Sequence, residues 1–206
     1  MSLTTYVLSR VRGVADESSL ERAGGHQIDW AAVTAGADGE KRVTGLAVMG
    51  RRVSGKLVPR SYSVTLTSVV VAANVATATL AAHGFAVGDK LYISGGSLAY
   101  ANGSITVASV PTADTFTYVA TGSNATATGT ITASFQAVGM LETNAAQNAA
   151  SHALSGYSLL VGGVFYENLC PDAAGDPKVI PAQYKSELVA NGCSIKFAFP
   201  YADSRA

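Results

Sequence analysis

The sequence predicts an all-β protein, mainly β-strand with one short C-terminal helix. We expect a small β-barrel or sandwich as host domain, interrupted by a second β module. Three observations predict this. Charged residues are spread unevenly along the chain. Apolar and hydroxyl residues alternate with period two through the middle third, which is typical of half-buried strands. Glycine, asparagine, aspartate and proline separate the alternating runs, as they do in turns.

The uneven charge indicates the domain boundaries. Residues 1–60 carry fifteen charged side chains and residues 135–206 carry ten, whereas residues 61–134 carry three. A segment of such different composition is expected to be a separate module. We therefore predict three parts: an N-terminal arm over 1–40, a discontinuous β domain over 41–61 plus 135–206, and an inserted β module over 62–134.

Short runs inside the inserted module alternate threonine or serine with apolar residues. Threonine suits the exposed face of a strand because its branched Cβ fits a pleated surface. Asn102-Gly103 is a strong hairpin signal. The strands predicted from these runs cover residues 63–69, 75–80, 104–107, 115–119 and 125–131.

The host domain is predicted from shorter patterns. Strands are expected on both sides of a basic turn and again directly after the insert, in the same sheet. Pro181 suits a first helical turn, Tyr184 and Leu188 are spaced i, i+4, and Asn191-Gly192 ends the run, so residues 181–190 are predicted as the helix. The first forty residues are weakly patterned and predict an extended arm with a short helical turn over 16–22. The predicted host strands cover residues 41–50, 55–59, 135–141, 154–161, 163–166 and 194–199.

Composition excludes several classes of protein. Charged residues make up 14% of the chain, against about 25% in typical proteins, and the formal net charge is zero. We therefore expect no nucleic-acid partner and no membrane partner, because neither a basic surplus nor a long apolar run is present. The first residues do not resemble a secretory signal. Cys170 and Cys193 rule out a framework of disulfides; free thiols are expected, and a single bridge between them stays open.

A glycine-rich basic segment matches the spacing of a phosphate-binding loop. Gly50 to Lys56 fits G-x-x-x-x-G-K, but Leu57 stands where serine or threonine would hold magnesium. Pro59 follows where a helix should begin. We interpret the segment as a basic hairpin and expect no nucleotide and no other cofactor.

Chemistry-bearing residues do not form a recognisable active site. The three histidines lack neighbours at metal-ligand spacing, and no G-x-S-x-G elbow is present. We expect no catalytic residue, no metal site and no enzymatic activity; an enzyme stays as a minor alternative. Four basic residues near the predicted turn form either a solvated face or a contact with an acidic partner: Arg51, Arg52, Lys56 and Arg60.

One family resemblance concerns the insert. Residues 75–79, 83–95, 100–103 and 110–118 contain the series H-G-F-x-V-G-D, I-S-G, N-G and P-x-x-x-T-F-T-Y. This series resembles the immunoglobulin-like modules common in structural proteins of tailed phages. The resemblance implies that the insert is an immunoglobulin-like β-sandwich and that the chain belongs to a phage particle.

A second resemblance concerns the flanks. Residues 55–60, 137–141, 162–169 and 203–205 are similar to the corresponding parts of the capsid decoration, or cement, proteins of tailed phages. Members of that family are β-rich, often trimeric, and clamp the major capsid protein from outside. The resemblance implies a homotrimer on the outer surface of the virion, made in the cytoplasm of the host bacterium, with the insert projecting outward. Low charge and a missing active site suit such a role, because binding then depends on buried area.

These resemblances assign roles to the candidate residues. Arg51, Arg52, Lys56 and Arg60 are expected to contact the capsid. The alternative is a tail, baseplate or host-adhesion protein that uses the immunoglobulin-like module. Adhesion predicts an exposed aromatic groove on the insert that binds host-surface carbohydrate, formed by Tyr92, Tyr100 and Tyr118.

Overall fold

The computed structural model describes residues 14–147, 156–166, 170 and 179–198. Within these residues the chain forms seventeen β-strands, two short 3-10 helices and one α-helix near the C-terminus. The predicted mainly β fold with one short C-terminal helix is therefore confirmed. The sheets are open, and no closed barrel is found in this part of the chain.

The chain divides into two compact units. Unit 1 takes the described residues up to Gly50, residues 57–61 and the described residues from Ala137 onward; unit 2 takes residues 51–56 and 62–136. The chain therefore passes between the units four times, after residues 50, 56, 61 and 136. The turn at 51–56 groups with unit 2, whereas the sequence assigned it to the host domain.

Unit 1 is built on a six-stranded sheet. Its strands are antiparallel apart from the last, which lies parallel to the C-terminal half of β16. In spatial order they are β1 (Val14–His26), β16 (Tyr157–Tyr166), β14 (Ala137–Leu141), β3 (Val48–Arg51) and β4 (Leu57–Pro59), with β17 (Ser194–Ala198) beside β16. A separate two-stranded sheet pairs β2 (Lys41–Val43) with β15 (Ala145–Gln147).

Apolar side chains cover both faces of the six-stranded sheet. On one face, Met140, Leu160 and Phe165 pack with Leu188 of helix α1 (Ala182–Ala190). On the other face, Met49, Leu57, Leu141 and Leu159 pack with Ile28 and Val33, which flank the 3-10 helix η1 (Trp30–Ala32). The sequences of β14 and β4 in this sheet are therefore continuous apolar runs rather than alternating ones.

Helix α1 confirms the sequence prediction at both ends. Pro181 is its N-cap residue, and the N–H of Asn191 bonds to the carbonyl of Glu187. Gly192 has φ +82°, and the N–H of Cys193 returns to the carbonyl of Leu188 at 2.9 Å. This is the glycine-dependent helix ending that Asn191-Gly192 predicted.

The helical turn predicted in the N-terminal region is wrong. Residues 16–22 form no helical turn, because Val14–His26 is one strand that pairs along β16 with four register irregularities. At each irregularity the two strands advance by unequal numbers of residues, so no period-two pattern is expected in the sequence of β1. Residues 1–13 of the predicted arm lie outside the described residues.

Unit 2 is a sandwich of two antiparallel sheets. The 3-10 helix η2 (Ala99–Ala101) joins two strands of its smaller sheet. The five-stranded sheet has the order β10 (Ser109–Thr112), β11 (Thr115–Val119), β7 (Val75–Thr79), β6 (Ser68–Ala72) and β12 (Ala125–Thr126). The four-stranded sheet has the order β5 (Ser63–Thr65), β13 (Thr132–Phe135), β8 (Lys90–Ser94) and β9 (Gly103–Thr106).

Aromatic rings join the inner faces of the two sheets. Phe85 stands edge-on to Phe116 of one sheet at 5.2 Å and to Phe135 of the other at 5.6 Å, measured between ring centroids. Edge-to-face pairs at such distances are favourable beyond the area that they bury. The core of unit 2 is thus centred on Phe85, which belongs to the H-G-F-x-V-G-D segment.

Some strands of unit 2 differ from their prediction. The run 63–69 splits into β5 and β6 because the chain changes sheets there: the N–H of Leu66 bonds to Ile131 and that of Thr67 bonds to Thr79. The run 125–131 pairs only over Ala125–Thr126 before the chain loops to β13. Strands β8 and β10 were not predicted. The immunoglobulin-like assignment itself stays a prediction.

Candidate functional site

The basic segment forms the expected hairpin turn. It joins β3 to β4, and the N–H of Arg52 donates to the carbonyl of Lys56 at 2.9 Å while Gly55 donates back to Arg52 at 2.9 Å. Gly55 has φ +88°, a conformation that glycine adopts without strain. A strand follows where a phosphate-binding loop needs a helix, so the hairpin interpretation of residues 50–56 is confirmed.

The basic side chains of the turn have different environments. Arg51 and Lys56 are exposed. Arg52 is half-buried: its Nη1 donates to the carbonyl of Gly84 at 2.9 Å, and its guanidinium lies 4.8 Å from the centre of the Phe135 ring. Arg52 is therefore held within unit 2 by a hydrogen bond and a cation–π contact, which leaves Arg51 and Lys56 as the exposed candidates of the turn.

A buried carboxylate fixes the middle of the same turn. Asp89 accepts the N–H of Val53 at 2.7 Å and that of Ala86 at 2.9 Å. The two oxygens of one side chain therefore hold two backbone N–H groups that are 33 positions apart in sequence. Asp89 thus ties residues 51–56 to the turn that begins at Ala86.

Arg60 does not belong to an exposed basic patch, which corrects the prediction for this residue. Its side chain is buried, and its Nε and Nη2 donate to the two carboxylate oxygens of Glu187 at 2.6 Å and 2.7 Å. The guanidinium also lies 4.2 Å from the centre of the Tyr184 ring. A bidentate, stacked arginine of this kind is an internal structural element.

Glu187 joins two segments of unit 1 that lie next to points where the chain passes between the units. One segment contains Arg60, directly before residue 61, and the other contains Ala137, whose N–H donates to Glu187 Oε2 at 2.8 Å. Gln183 donates to the other oxygen at 3.1 Å. Four donors therefore satisfy one buried carboxylate, which offsets the cost of its burial.

The three candidate tyrosines of the insert form no common groove. Tyr118 is buried in the core, and its hydroxyl donates to the carbonyl of Ala101 at 2.8 Å; its prediction as a surface residue is wrong. Tyr100 is half-exposed, packs against Gly122 and donates to the carbonyl of Ser123 at 2.6 Å. Tyr92 is half-exposed on the four-stranded sheet. Of the three rings, those of Tyr92 and Tyr100 are therefore partly exposed, and they lie on different structural elements.

Burial shifts the pKa of one tyrosine, and an exposed ion pair shifts the pKa of both of its members. Burial raises the pKa of Tyr118 to about 12, because the phenolate would lose its solvation. The hydrogen bond from Arg42 lowers the pKa of Asp38, and both side chains are exposed. None of these shifts belongs to a cluster of reactive groups.

The described residues offer little for metal or redox chemistry. They contain no group of three or more histidine, cysteine, aspartate or glutamate side chains placed to hold a metal ion. Cys170 and Cys193 are both buried free thiols. His83 stacks beside Phe85 in the core of unit 2, and its Nδ1 accepts the N–H of Phe85 at 3.0 Å. Among these residues no helix has the length and hydropathy to cross a membrane.

Comparison with protein families and with curated proteins yields no match. No protein-family model matches the chain, and no curated protein is significantly similar to it. The two resemblances described above therefore rest on the quoted sequence segments.

Two buried acidic residues that hold these segments in place, Asp89 and Glu187, were not predicted. Glu187 lies among helix-favouring residues, and nothing in the sequence links it to Arg60 across 127 positions. Asp89 had one signal: it is one of three charged residues in an otherwise uncharged segment, inside the V-G-D turn. A lone acid in such a segment is a good candidate for a buried acceptor.

Proposed function

We propose that this chain is a structural protein of a tailed-phage virion that binds the outside of the capsid and stabilises it. One observation carries the proposal. Three segments that resemble decoration proteins, residues 55–60, 137–141 and 162–166, are far apart in sequence but lie in one sheet as β4, β14 and β16. The segment 203–205 and residues 167–169 lie outside the described residues. The resemblance therefore follows a coherent structural unit.

The same observation limits what these segments do. Leu57, Val58, Met140, Leu141 and Phe165 are buried, so these shared residues specify the fold of unit 1, and the contact surface must be formed by exposed side chains. Arg51 and Lys56 are the two exposed residues of the original basic set. The proposal therefore assigns them the contact with an acidic surface of the major capsid protein.

The proposed partners are the major capsid protein and further copies of this chain, as a homotrimer. Nucleic acid and membrane are not proposed, because the net charge is zero and charge is sparse. The proposed location is the outer surface of the virion after synthesis in the bacterial cytoplasm. No enzymatic step is part of the proposal.

Co-sedimentation of the full chain with empty expanded capsids of the same phage tests the binding. We expect saturable binding and a higher temperature of capsid disruption once the chain is bound, because buried contacts across capsid subunits oppose their separation. A chain that stays in the supernatant at every salt concentration would contradict the proposed function.

Charge reversal tests the contact separately. Arg51→Glu and Lys56→Glu are each expected to weaken capsid binding about tenfold, equivalent to about 1.4 kcal/mol. Lys196→Glu, an exposed lysine on β17, is the matched control. Binding that is equally strong in all three variants would remove Arg51 and Lys56 from the contact and leave the function itself standing.

A further inference from the structure

A buried histidine begins the H-G-F-x-V-G-D turn of unit 2, residues 83–89, which we call the histidine segment. His83 is 8% exposed. Its ring centroid lies 5.4 Å from that of Phe85 and 5.3 Å from that of Phe116. Its backbone N–H donates to the carbonyl of Ala113 at 3.3 Å. The imidazole is therefore part of the aromatic core of unit 2.

One hydrogen bond determines the protonation state of this imidazole. The N–H of Phe85 donates to Nδ1 of His83 at 3.0 Å. A ring nitrogen accepts a hydrogen bond only when it carries no proton, so the ring is neutral and its proton is on Nε2. Among the described residues Nε2 has no hydrogen-bond partner, and it is shielded from solvent. The site therefore fits a neutral histidine and contains no acceptor for a second ring proton.

The charged groups near His83 are bonded to the backbone. Asp114, in the β10–β11 turn, accepts the N–H of Ala82 at 2.7 Å. Asp89 accepts two backbone N–H groups, and Arg52 donates to a backbone carbonyl. The neighbouring strands add two further titratable side chains, Lys90 at the start of β8 and Tyr118 on β11. Within the described part of the chain no carboxylate bonds to the imidazole, so an imidazolium would lack a bonded counter-ion.

The histidine segment also holds the basic hairpin turn at residues 51–56. The carbonyl of Gly84 accepts a hydrogen bond from Arg52 Nη1 at 2.9 Å. The carboxylate of Asp89 accepts the N–H of Val53 at 2.7 Å. Both attachment points belong to one short segment of the chain. A rearrangement of the histidine segment would therefore detach the hairpin as well.

We infer that His83 is an acid-sensitive switch, which opens the histidine segment and releases the hairpin at 51–56 when it takes up a proton. A protonated Nδ1 is a donor that faces the N–H of Phe85, so the hydrogen bond between them is lost. An unpaired positive charge in the aromatic core is also costly, and stacking on Phe85 offsets only part of this cost. The inference concerns unit 2 alone and does not depend on capsid binding.

The direction of the pH effect follows from the neutral ring. A histidine in an open segment takes up its proton near pH 6.5, whereas the closed segment holds the neutral form. The closed state is therefore most stable above about pH 6.5 and loses stability as the pH falls below that value. While only the open form binds this proton, the ratio of open to closed molecules rises about tenfold for each pH unit.

Native-state hydrogen exchange of the full chain between about pH 7.5 and pH 5 tests the inference, since carboxylates of ordinary acidity stay ionised in this range. The amide of Phe85 reports on the histidine segment and that of Val53 reports on the hairpin, because each is hydrogen-bonded to that segment. After division by the intrinsic exchange rates, both opening constants should rise about thirtyfold from the highest to the lowest pH.

His83→Asn is the test variant, because an asparagine side chain also accepts the N–H two residues further on but takes up no proton. Its two opening constants should not change with pH. His26→Asn is the matched control: His26 belongs to unit 1, and its buried Nε2 likewise has no partner among the described residues. This control should show the full thirtyfold rise of about 1.5 pH units' worth of proton uptake.

Nitrogen spectra of the unmodified chain give a second test that needs no variant. At about pH 6, where an ordinary histidine is mostly charged, His83 should still be neutral with its proton on Nε2. Four results would overturn the inference: a charged His83 at that pH with both amides still protected, opening constants that do not rise, an equal rise in His83→Asn, or a rise at Phe85 without one at Val53.

Discussion

Glu187 is the residue on which the interior of unit 1 depends most directly. Its carboxylate is buried and accepts hydrogen bonds from Arg60, Gln183 and the N–H of Ala137. Removing one member of such a group leaves a charge and a backbone donor buried without partners. A buried ion pair therefore contributes little net stability when whole but is costly to break.

Glu187→Ala is expected to lower the free energy of unfolding by about 3–5 kcal/mol, because the charge of Arg60 then stays buried without its carboxylate. Urea unfolding measures the loss. Asp38→Asn, which breaks an exposed ion pair with Arg42, is the control and should leave stability unchanged. Combining Glu187→Leu with Arg60→Met should restore part of the loss. If the double variant loses as much stability as the sum of the separate losses at positions 187 and 60, the argument that the two side chains are paired fails.

Tyr118→Phe removes the hydrogen bond to Ala101 and is expected to cost about 1 kcal/mol near neutral pH. It also changes the response to alkali. The folded pKa of about 12 lies above the ordinary value of about 10, so the folded state holds this proton more tightly. Its stabilising effect is complete below pH 10 and is lost as the pH rises toward 12.

Chemical unfolding measured at several pH values between 9 and 12 checks this expectation, because the range includes the ordinary pKa of a tyrosine and the pKa of Tyr118 in the folded state. The variant should lose stability less steeply than the unmodified chain across that range. Equal slopes would show that Tyr118 ionises normally and is not buried as described.

At the scale of elements, two glycines allow backbone segments of unit 2 to approach closely. Gly95, with φ +84°, lies where an added Cβ would be 2.1 Å from the carbonyl oxygen of Thr130. Gly129 faces the carbonyl of Gly95 in return, at 2.6 Å for its own added Cβ. This approach brings the end of β8 beside the loop that leads into β13.

Gly95→Ala is expected to destabilise the protein more than Gly55→Ala by about 2 kcal/mol or more. Both glycines have nearly the same φ, +84° and +88°, but an added Cβ at Gly55 meets no atom within 4 Å. The control therefore shares the backbone strain of about 1 kcal/mol and lacks the collision. Thermal unfolding measures both, and equal losses would contradict the close approach.

The sequence predicted elements well where one local signal decides. Asn191-Gly192 located the end of α1. Asn102-Gly103 was predicted as a hairpin turn, but the connection between β8 and β9 spans residues 95–102 and Gly103 is already part of β9. The sequence failed to predict strands whose limits are set by residues distant in sequence. β5 and β6 were predicted as one strand because the alternation continues through Leu66 and Thr67, although the chain changes sheets at these two residues. β1 was missed because its pairing slips repeatedly, which removes the period-two pattern.

At the scale of the whole molecule, the division into two units predicts the way the chain unfolds. Calorimetry is expected to show two transitions, because units with separate cores unfold separately. Glu187→Ala should lower the temperature of one transition and Gly95→Ala that of the other, since they lie in different units. A single transition that both substitutions shift equally would contradict this.

The candidate surface was less predictable than the fold. Charge and composition separated residues 61–134 from their flanks, but exposure depends on neighbours distant in sequence. Arg60 and Tyr118 were expected at the surface, yet one pairs with Glu187 and the other points at Ala101. Arg51 and Lys56 remain exposed because the tip of a hairpin has few neighbours.

The hydrogen bond from Val53 to Asp89 constrains how the module could be exchanged between genes. Recombination that replaced only residues 62–134 would place a new module beside the original turn at 51–56. The N–H of Val53 would then face whichever residue the new module carries at position 89. An acid at that position would be needed for the graft to fit, whereas Phe135, whose ring Arg52 lies over, would stay with the original chain. Chains that acquired this module by recombination should therefore carry the hairpin and the V-G-D turn as a matched pair, and should lose both together when the module is lost.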